Sequence, residues 1–321
     1  TLCLTIAVLL GSVGVSWGME FKITTQYSTS FFEDYLSSIK YKKALGLWQN
    51  PPDEKVLKTP YNFYIFEMSG KIVPGDYQKL VTLLKKQKDP PAVMTINSAG
   101  GDVFEAIKIG KLIRKAKLPI IPDTGMGVRC LSACFLIIAG AIHRSSHQPG
   151  FFVTPFWNSN GVNSSILSWE NIKACNAVNG DTYLSDRNLI IPGPHSVFVH
   201  MISAYGVHRP RFTERHYKKY GFHQHENRYA KLTKIVRQYL ISMDVSNSII
   251  EKMMATPSNK IEWLCRKDID SNWWAPNWEE YLLARCGDYY RYPDRSDERD
   301  VISACEEWER LSAGRAAINK L

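Results

Sequence analysis

Three short stretches of this 321-residue chain contain the residue types that acyl transfer requires. That chemistry needs a nucleophile with a proton acceptor, and two N–H donors directed at the oxygen that becomes negative. The first stretch is Asn97-Ser98-Ala99-Gly100-Gly101-Asp102-Val103, at the junction of an apolar run and a helical pattern. Because Gly101 has no Cβ, its backbone N–H can approach a substrate carbonyl closely. A Gly-Gly pair by itself equally fits a tight turn.

The second stretch, Cys130-Leu131-Ser132-Ala133-Cys134, offers a nucleophile. Ser132 is at the start of an apolar helical pattern, where free N–H groups and the helix dipole favour a developing negative charge. The Ala133 N–H is then the second donor. The alternatives are that Ser132 only caps the helix, or that Cys130 or Cys134 is the nucleophile, and disulfide formation disfavours the cysteines.

The third stretch, Gly206-Val207-His208-Arg209-Pro210, supplies a candidate base at the end of a strand-like segment. An imidazole titrates near neutral pH and can act first as base and then as acid, so His208 suits the Ser132 proton. His200 is the second candidate, but it has no adjacent turn. Only the combination of the three stretches favours catalysis over structural roles.

Alternating strand and helix patterns around these stretches predict an α/β fold with a parallel sheet and right-handed crossovers. The predicted strands are Tyr61 to Met68, Ala92 to Ile96, Leu118 to Ile121 and Ser196 to His208. The predicted helices are Asp76 to Lys86, Val103 to Lys115, Leu131 to Ala141, Glu226 to Ser242 and Asn247 to Ala255.

The composition of the other segments predicts how the chain is divided into a signal, a linker, a core domain and a C-terminal extension. Residues 1–18 are apolar and contain small residues at signal-peptidase spacing, which predicts a secretory signal, or a membrane anchor if it is not cleaved. Residues 19–55 are predicted to be a lead-in and linker, and residues 56–270 the core domain. Within that domain, residues 144–194 are rich in Ser, Asn, Pro and Gly and are predicted to be an irregular insertion. Residues 271–321 are predicted to be a C-terminal extension.

The cysteines agree with export to the periplasm or beyond. Loss of Cys3 with the signal leaves an even number, which permits disulfides in an oxidising compartment but does not reveal their pairing. No CxxC pair or zinc-ligand spacing is present, so a structural metal is not expected. The remaining cysteines are Cys130, Cys134, Cys175, Cys265, Cys286 and Cys305.

The formal charge of +9 predicts attraction to acidic surfaces or envelope polymers. Lys and Arg are spread along the chain, so nucleic acid is not an expected partner. Two clusters suggest other ligands, but a solvated loop and aromatic packing explain them better than a metal site or a carbohydrate platform. These clusters are His216, His223, His225 and Glu226, and the tryptophans Trp263, Trp273, Trp274 and Trp278. No metal or other cofactor is predicted.

The three stretches, in this order, resemble the signature of exported relatives of the Clp protease proteolytic subunit and signal peptide peptidase A, within the crotonase-like superfamily. The similarity covers about residues 60 to 265. It implies a spiral of β-β-α units, a peptide or protein substrate, and a homo-oligomer, since relatives commonly form rings. By this resemblance Ser132 is the nucleophile, His208 the base, and Gly101 and Ala133 the oxyanion-hole donors.

The resemblance fails at the third catalytic residue. Clp-type enzymes orient the histidine with an aspartate, whereas the corresponding segment here contains Asn259. An asparagine can orient an imidazole but cannot balance its positive charge. Asp244, Glu262 and Asp268 are acids that could replace it, and the sequence does not choose among them.

Two functional hypotheses of different classes follow. The first is an exported serine hydrolase, peptidase-like, that acts through an acyl-enzyme on Ser132. The second is a catalytically inactive member that keeps the fold as an envelope binding or assembly module. Crotonase-type acyl-thioester chemistry is the weakest hypothesis, because coenzyme A is not expected outside the cytoplasm.

Overall fold

The computed structural model describes residues 18–29, 46, 48, 51–53, 61–122, 130–142, 205–212, 222–264, 268, 275–287 and 296–321. Nearly all of the predicted signal, most of the linker and the whole predicted insertion lie outside these residues. His200, His216, Cys175, Cys265, Trp273 and Trp274 also lie outside them. The domain boundaries stay predictions.

The described part of the chain contains seven strands and seven helices. The strands are β1 (Glu20–Thr29), β2 (Tyr61–Ser69), β3 (Val93–Asn97), β4 (Ile120–Pro122), β5 (Cys130–Leu131), β6 (Tyr205–Val207) and β7 (Glu262–Trp263). The helices are α1 (Asp76–Gln87), α2 (Val103–Lys115), α3 (Ala133–Gly140), α4 (Phe222–Ser242), α5 (Asn247–Ala255), α6 (Pro276–Cys286) and α7 (Ser296–Ile318). None of these described helices is both long enough and apolar enough to cross a bilayer.

The first sheet has the strand order β1-β2-β3-β4. Strands β2, β3 and β4 are mutually parallel, and helices α1 and α2 connect them, whereas β1 adds an antiparallel edge. The buried side chains of β2, which are Tyr64, Phe66 and Met68, alternate with partly exposed ones, as expected for a strand with one face on the core. The α/β class with parallel strands is therefore confirmed, while the spiral arrangement stays a prediction.

The second sheet, in the order β5-β6-β7, continues from the end of β3. Ser98, just after β3, forms a parallel bridge with Cys130 of β5, and β5 is in turn parallel to β6. The prediction that Leu131 begins the apolar helix is wrong, because Leu131 pairs with Gly206 and the helix begins at Ala133. Local periodicity cannot reveal such a strand, since its partners are distant in sequence.

The start of α2 also fixes the start of α1. The Asp102 carboxylate accepts a hydrogen bond from the Glu105 N–H (2.8 Å), which caps α2. The buried Glu105 carboxylate accepts hydrogen bonds from the Gly75 and Tyr77 N–H groups, each at 2.8 Å. Burial alone would raise the pKa of Glu105, but these bonds and one from Lys108 hold that pKa below its usual value. The glycine turn before α2 is thereby attached to the neighbouring helix.

Helix α3 is apolar on every side and completely buried, and it packs closely on α2. The backbones approach where Gly110 of α2 faces Gly140 of α3, and a Cβ on either glycine would collide with the other helix or with Tyr239. The Tyr239 hydroxyl donates a hydrogen bond to the Leu136 carbonyl (2.7 Å), and Arg114 donates to the Gly140 carbonyl (3.0 Å). These contacts fix the helix whose first turn follows Ser132.

Helices α6 and α7 form a second hydrophobic cluster, joined by a disulfide between Cys286 and Cys305. The cluster includes Ala92 and Ile142 of the core, and the Ala275 N–H donates to the Ile142 carbonyl (3.1 Å). Trp278 is buried in this cluster, in agreement with aromatic packing. This part of the chain therefore packs against the core.

We predict that Gly110→Ala destabilises the fold although alanine is the better helix former. The added methyl group collides with the Tyr239 hydroxyl and the Leu136 carbonyl. Overpacking of this kind costs about 1 to 3 kcal/mol, measurable as a lower free energy of unfolding in urea. The control is Lys111→Ala on the exposed face of the same helix, expected to change stability by no more than about 0.5 kcal/mol. Equal stability of the two variants would contradict the close packing.

Candidate active site

The glycine turn is held by one neighbouring residue, Ile72. The Ile72 N–H donates to the Gly100 carbonyl (3.0 Å), and the Asp102 N–H donates to the Ile72 carbonyl (2.9 Å). Within a trans peptide group the C=O and the N–H point in opposite directions, and the Gly100 carbonyl points at Ile72. The N–H of Gly101 is therefore directed away from Ile72, and Gly101 itself is exposed.

Gly100 lies directly against the start of α3. A Cβ built on Gly100 would be 2.6 Å from the Leu131 carbonyl oxygen, 2.9 Å from the Ser132 Cβ and 3.0 Å from the Ala133 nitrogen. Only glycine permits this approach, and φ at Gly100 is +92°, which also favours glycine. The structure thus brings the glycine turn, Ser132 and Ala133 together, as the sequence predicted.

The backbone of Ser132 has an uncommon conformation for a residue with a side chain. Its φ is 58° and its ψ is −123°, which lies outside the ordinary left-handed region. Other described non-glycine residues with positive φ lie within two residues of a helix C-terminus, where such values are ordinary: Lys88, Lys117 and Asp244. Ser132 instead precedes a helix. Strained backbone of this kind is concentrated at functional sites, including the strand-to-helix turn that exposes a nucleophilic serine.

The Ser132 hydroxyl is not used to cap α3. Ser132 occupies the N-cap position, but its side chain makes no capping hydrogen bond. This observation argues against the alternative that Ser132 only caps the helix. The Ala133 N–H belongs to the first turn of α3, where N–H groups have no partner within the helix. Ser132 is half-buried, and this donor belongs to the residue next to it.

His208 follows the strand that is bonded to Ser132. The Ser132 N–H donates to the Gly206 carbonyl (2.9 Å), and His208 comes two residues later, about 6.6 Å further along extended backbone. The residues of all three stretches thus follow the carboxyl ends of parallel segments, Gly101 after β3, Ser132 after β5 and His208 after β6. Ligand sites of parallel sheets lie at this edge.

The tautomer of His208 follows from its hydrogen bond. The Nδ1 atom lies 2.8 Å from the Arg209 carbonyl oxygen. Because a carbonyl oxygen can only accept, Nδ1 must carry the proton, and Nε2 of the neutral ring keeps its lone pair. A buried histidine with this tautomer has the acceptor that a general base requires.

Asn259 is not the partner of His208 Nδ1. It is exposed in a turn closed by the Lys260 N–H and the Pro257 carbonyl (2.9 Å). The segment does lie beside the histidine region, since the Arg209 N–H donates to the Thr256 carbonyl (3.0 Å). The backbone carbonyl of Arg209 occupies the position expected for the orienting residue.

The three candidate acids have other surroundings. Asp244 forms an ion pair with Arg114 (2.8 Å), and Asp268 forms one with Lys252 (2.8 Å). Glu262 is exposed on β7, directly opposite Val207. Its side chain shares a sheet face with Val207 and not with the next residue, His208. These positions do not favour any of the acids as a third catalytic residue.

Cys130 and Cys134 are joined by a disulfide on either side of Ser132. A disulfide sulfur is not a thiolate, so neither cysteine is a nucleophile in this state. Two of the pairings that the sequence left open are thus Cys130 with Cys134 and Cys286 with Cys305.

Part of each of the other clusters singled out in the sequence lies outside the described residues. No group of three described His, Cys, Asp or Glu residues is arranged to hold a metal ion. The prediction that His223 and His225 precede a helix is wrong, because both lie within α4. The helix begins at Phe222, four residues earlier than the apolar pattern indicated.

Two contributions to the site were not assigned from the sequence. Ile72 fixes the glycine turn through backbone groups alone, and the Arg209 carbonyl binds His208 in the same way. Because such backbone groups are common to nearly all residue types, the sequence gives no sign of these two roles. Gly100 could have been found, because a second glycine beside Gly101 indicates a close approach.

Fold and site together are those of an α/β protein with a serine at a strand-to-helix turn, beside a glycine turn. Residues 63–149 match the family model for Clp protease. This segment, which includes Gly101, Ser132 and Ala133 but not His208, is therefore Clp protease-like. Searches of curated proteins and of solved structures found no match.

We predict that Gly100→Ala disturbs the Ser132 turn more than backbone strain alone would. Gly75→Ala is the matched control, because φ at Gly75 is +101° but nothing lies within 4 Å of the place that a Cβ would take there. The difference between the two variants isolates the collision with Ser132 and Ala133. It should amount to about 1 to 3 kcal/mol in the free energy of unfolding. Equal losses would contradict contact between the glycine turn and Ser132.

Proposed function

We propose that this chain is an exported serine hydrolase of peptidase-like type, which cleaves a peptide or protein substrate through an acyl-enzyme on Ser132. His208 is the general base, and the Gly101 and Ala133 N–H groups form the oxyanion hole. The Clp protease-like segment supports the reaction class. No cofactor is part of the proposal.

The observation that carries the proposal is the contact between the glycine turn and the strained Ser132. Gly100 lies against the Ser132 Cβ and the Ala133 nitrogen, while the Gly101 N–H is directed away from its own strand partner. The two proposed donors and Ser132 therefore belong to segments that meet at the edge of the sheet. A turn with only a structural role would not require a serine at positive φ.

The reaction then follows from the roles of these groups. Nε2 of His208 takes the Ser132 proton as Oγ attacks the carbonyl carbon, and the new oxyanion accepts hydrogen bonds from Gly101 and Ala133. Collapse of the tetrahedral intermediate breaks the scissile bond, and His208 gives the proton to the leaving amine. Water, deprotonated by the same imidazole, then hydrolyses the ester and restores the serine. The Arg209 carbonyl keeps Nδ1 protonated throughout.

Location and partners belong to the same proposal. The apolar first residues and the disulfides found among the described cysteines favour an oxidising compartment, the periplasm or the exterior. The net charge of +9 favours association with acidic envelope or membrane surfaces, and a homo-oligomer is the assembly that the resemblance suggests.

One observation favours the second function, a catalytically inactive module for binding or assembly. The partner of His208 Nδ1 is a neutral carbonyl and not a carboxylate. A carbonyl orients the ring but stabilises the imidazolium less than a full negative charge does. The same experiment distinguishes the two functions.

We predict that a fluorophosphonate probe labels the purified chain, and that Ser132→Ala abolishes the labelling because the attacking oxygen is lost. His208→Gln keeps the fold but removes the base, so the labelling rate should fall about 10²- to 10⁴-fold. Gel fluorescence and intact-protein mass give both results. The control is Ser248→Ala, an exposed serine on α5 whose loss should leave the rate unchanged.

Undiminished labelling of the Ser132→Ala chain would disprove the assignment of the nucleophile. A folded chain that is not labelled at all would favour the inactive module.

A further inference from the structure

The disulfide between Cys130 and Cys134 encloses two of the four residues to which the proposed reaction assigns a role. Cys130 belongs to β5 and Cys134 to the first turn of α3, with Cα atoms 5.2 Å apart. Ser132 and Ala133 lie inside the covalent ring that this bond closes. Both sulfur-bearing side chains are buried in the main hydrophobic core.

The enclosed turn has an alternative conformation that would be inactive. A serine at an N-cap ordinarily has negative φ and accepts a hydrogen bond from an N–H of the first helical turn. Ser132 has positive φ and makes no such bond. Relaxation to the ordinary cap would occupy the hydroxyl oxygen and rotate the adjoining peptide group of Ala133.

We propose that the Cys130–Cys134 disulfide positions Ser132 and Ala133 for the reaction, so that the site is active in its oxidised form and loses activity on reduction. This inference rests on the proposed function and adds a redox dependence to it. Reduction breaks the Sγ–Sγ bond. Two electrons and two protons pass from a dithiol reductant, which becomes a cyclic disulfide, and leave two thiols on the chain.

Apart from the ring, the turn is held by backbone hydrogen bonds, including one from the Leu131 N–H to the Ser98 carbonyl (3.0 Å). The Ser132 N–H is bonded to the Gly206 carbonyl (2.9 Å), and the Phe135 N–H to the Ser132 carbonyl (3.0 Å). None of these bonds fixes the direction of the hydroxyl. The disulfide instead constrains the backbone on both sides of Ser132 at once. It therefore maintains the strained conformation of Ser132.

The second disulfide provides a matched control. Cys286 and Cys305 join α6 to α7 in the second hydrophobic cluster, and their sulfurs are also in buried side chains. Their sequence separation is 19 residues, against 4 for the pair around Ser132. Since longer loops gain more from closure, loss of the control disulfide should lower the Tm at least as much.

The test compares Cys130→Ala/Cys134→Ala with Cys286→Ala/Cys305→Ala in the full chain. We expect the maximal rate of fluorophosphonate labelling to fall at least tenfold in the first variant, with a smaller change in the probe concentration for half-maximal rate. The control variant should show the lower Tm but an unchanged labelling rate. Equal labelling rates in the two folded variants would overturn the inference.

Two further measurements test the inference if the first variant does not fold or if the intact chain is not labelled. If the Cys130→Ala/Cys134→Ala chain does not fold, reduction of the folded control variant should give the same loss, and reoxidation should restore the rate. If the disulfide-intact chain is not labelled, the proposed function fails. Hydrogen exchange at the Ser132 and Phe135 amides then decides whether the disulfide positions the turn. Faster exchange in the first variant alone supports that role, and equal exchange contradicts it.

Discussion

Two backbone hydrogen bonds from consecutive amides determine where the Ser132 turn lies. The Leu131 N–H donates to the Ser98 carbonyl (3.0 Å) on one side, and the Ser132 N–H donates to the Gly206 carbonyl (2.9 Å) on the other. Strand β5 is thereby held between the continuation of β3 and β6, with all three segments parallel. Because their carboxyl ends share one edge, the glycine turn and His208 are directed to the same region as Ser132.

The surrounding core holds the helix that follows Ser132 by close packing. Helix α3 is buried on every side and contacts α2 where Gly140 faces Gly110, so the last turn of α3 cannot move toward α2 without a collision. The buried Glu105 carboxylate links the turn after β3 to the start of α1. In the proposed reaction, donors already oriented toward the developing charge would need no reorganisation.

The sequence allowed prediction of most elements that local periodicity encodes. The α1 and α2 predictions differ from the structure by at most one residue at each end, and the glycine turn was predicted to meet Ser132 and Ala133, which it does. Features that depend on distant partners were not predictable. Strand β5 pairs with residues far away in the chain, and the Arg209 carbonyl that orients His208 carries no side-chain signal. The disulfide pairing likewise follows only from spatial distance.

The most direct test is a crystal structure of the chain after reaction with a fluorophosphonate. We predict phosphorus bonded to Ser132 Oγ, with the phosphonyl oxygen about 2.7 to 3.1 Å from the Gly101 and Ala133 nitrogens. His208 Nε2 should point at the Ser132 oxygen, with Nδ1 still bonded to the Arg209 carbonyl. Phosphorus on another residue, or a phosphonyl oxygen turned toward solvent with His208 remote from it, would contradict the account.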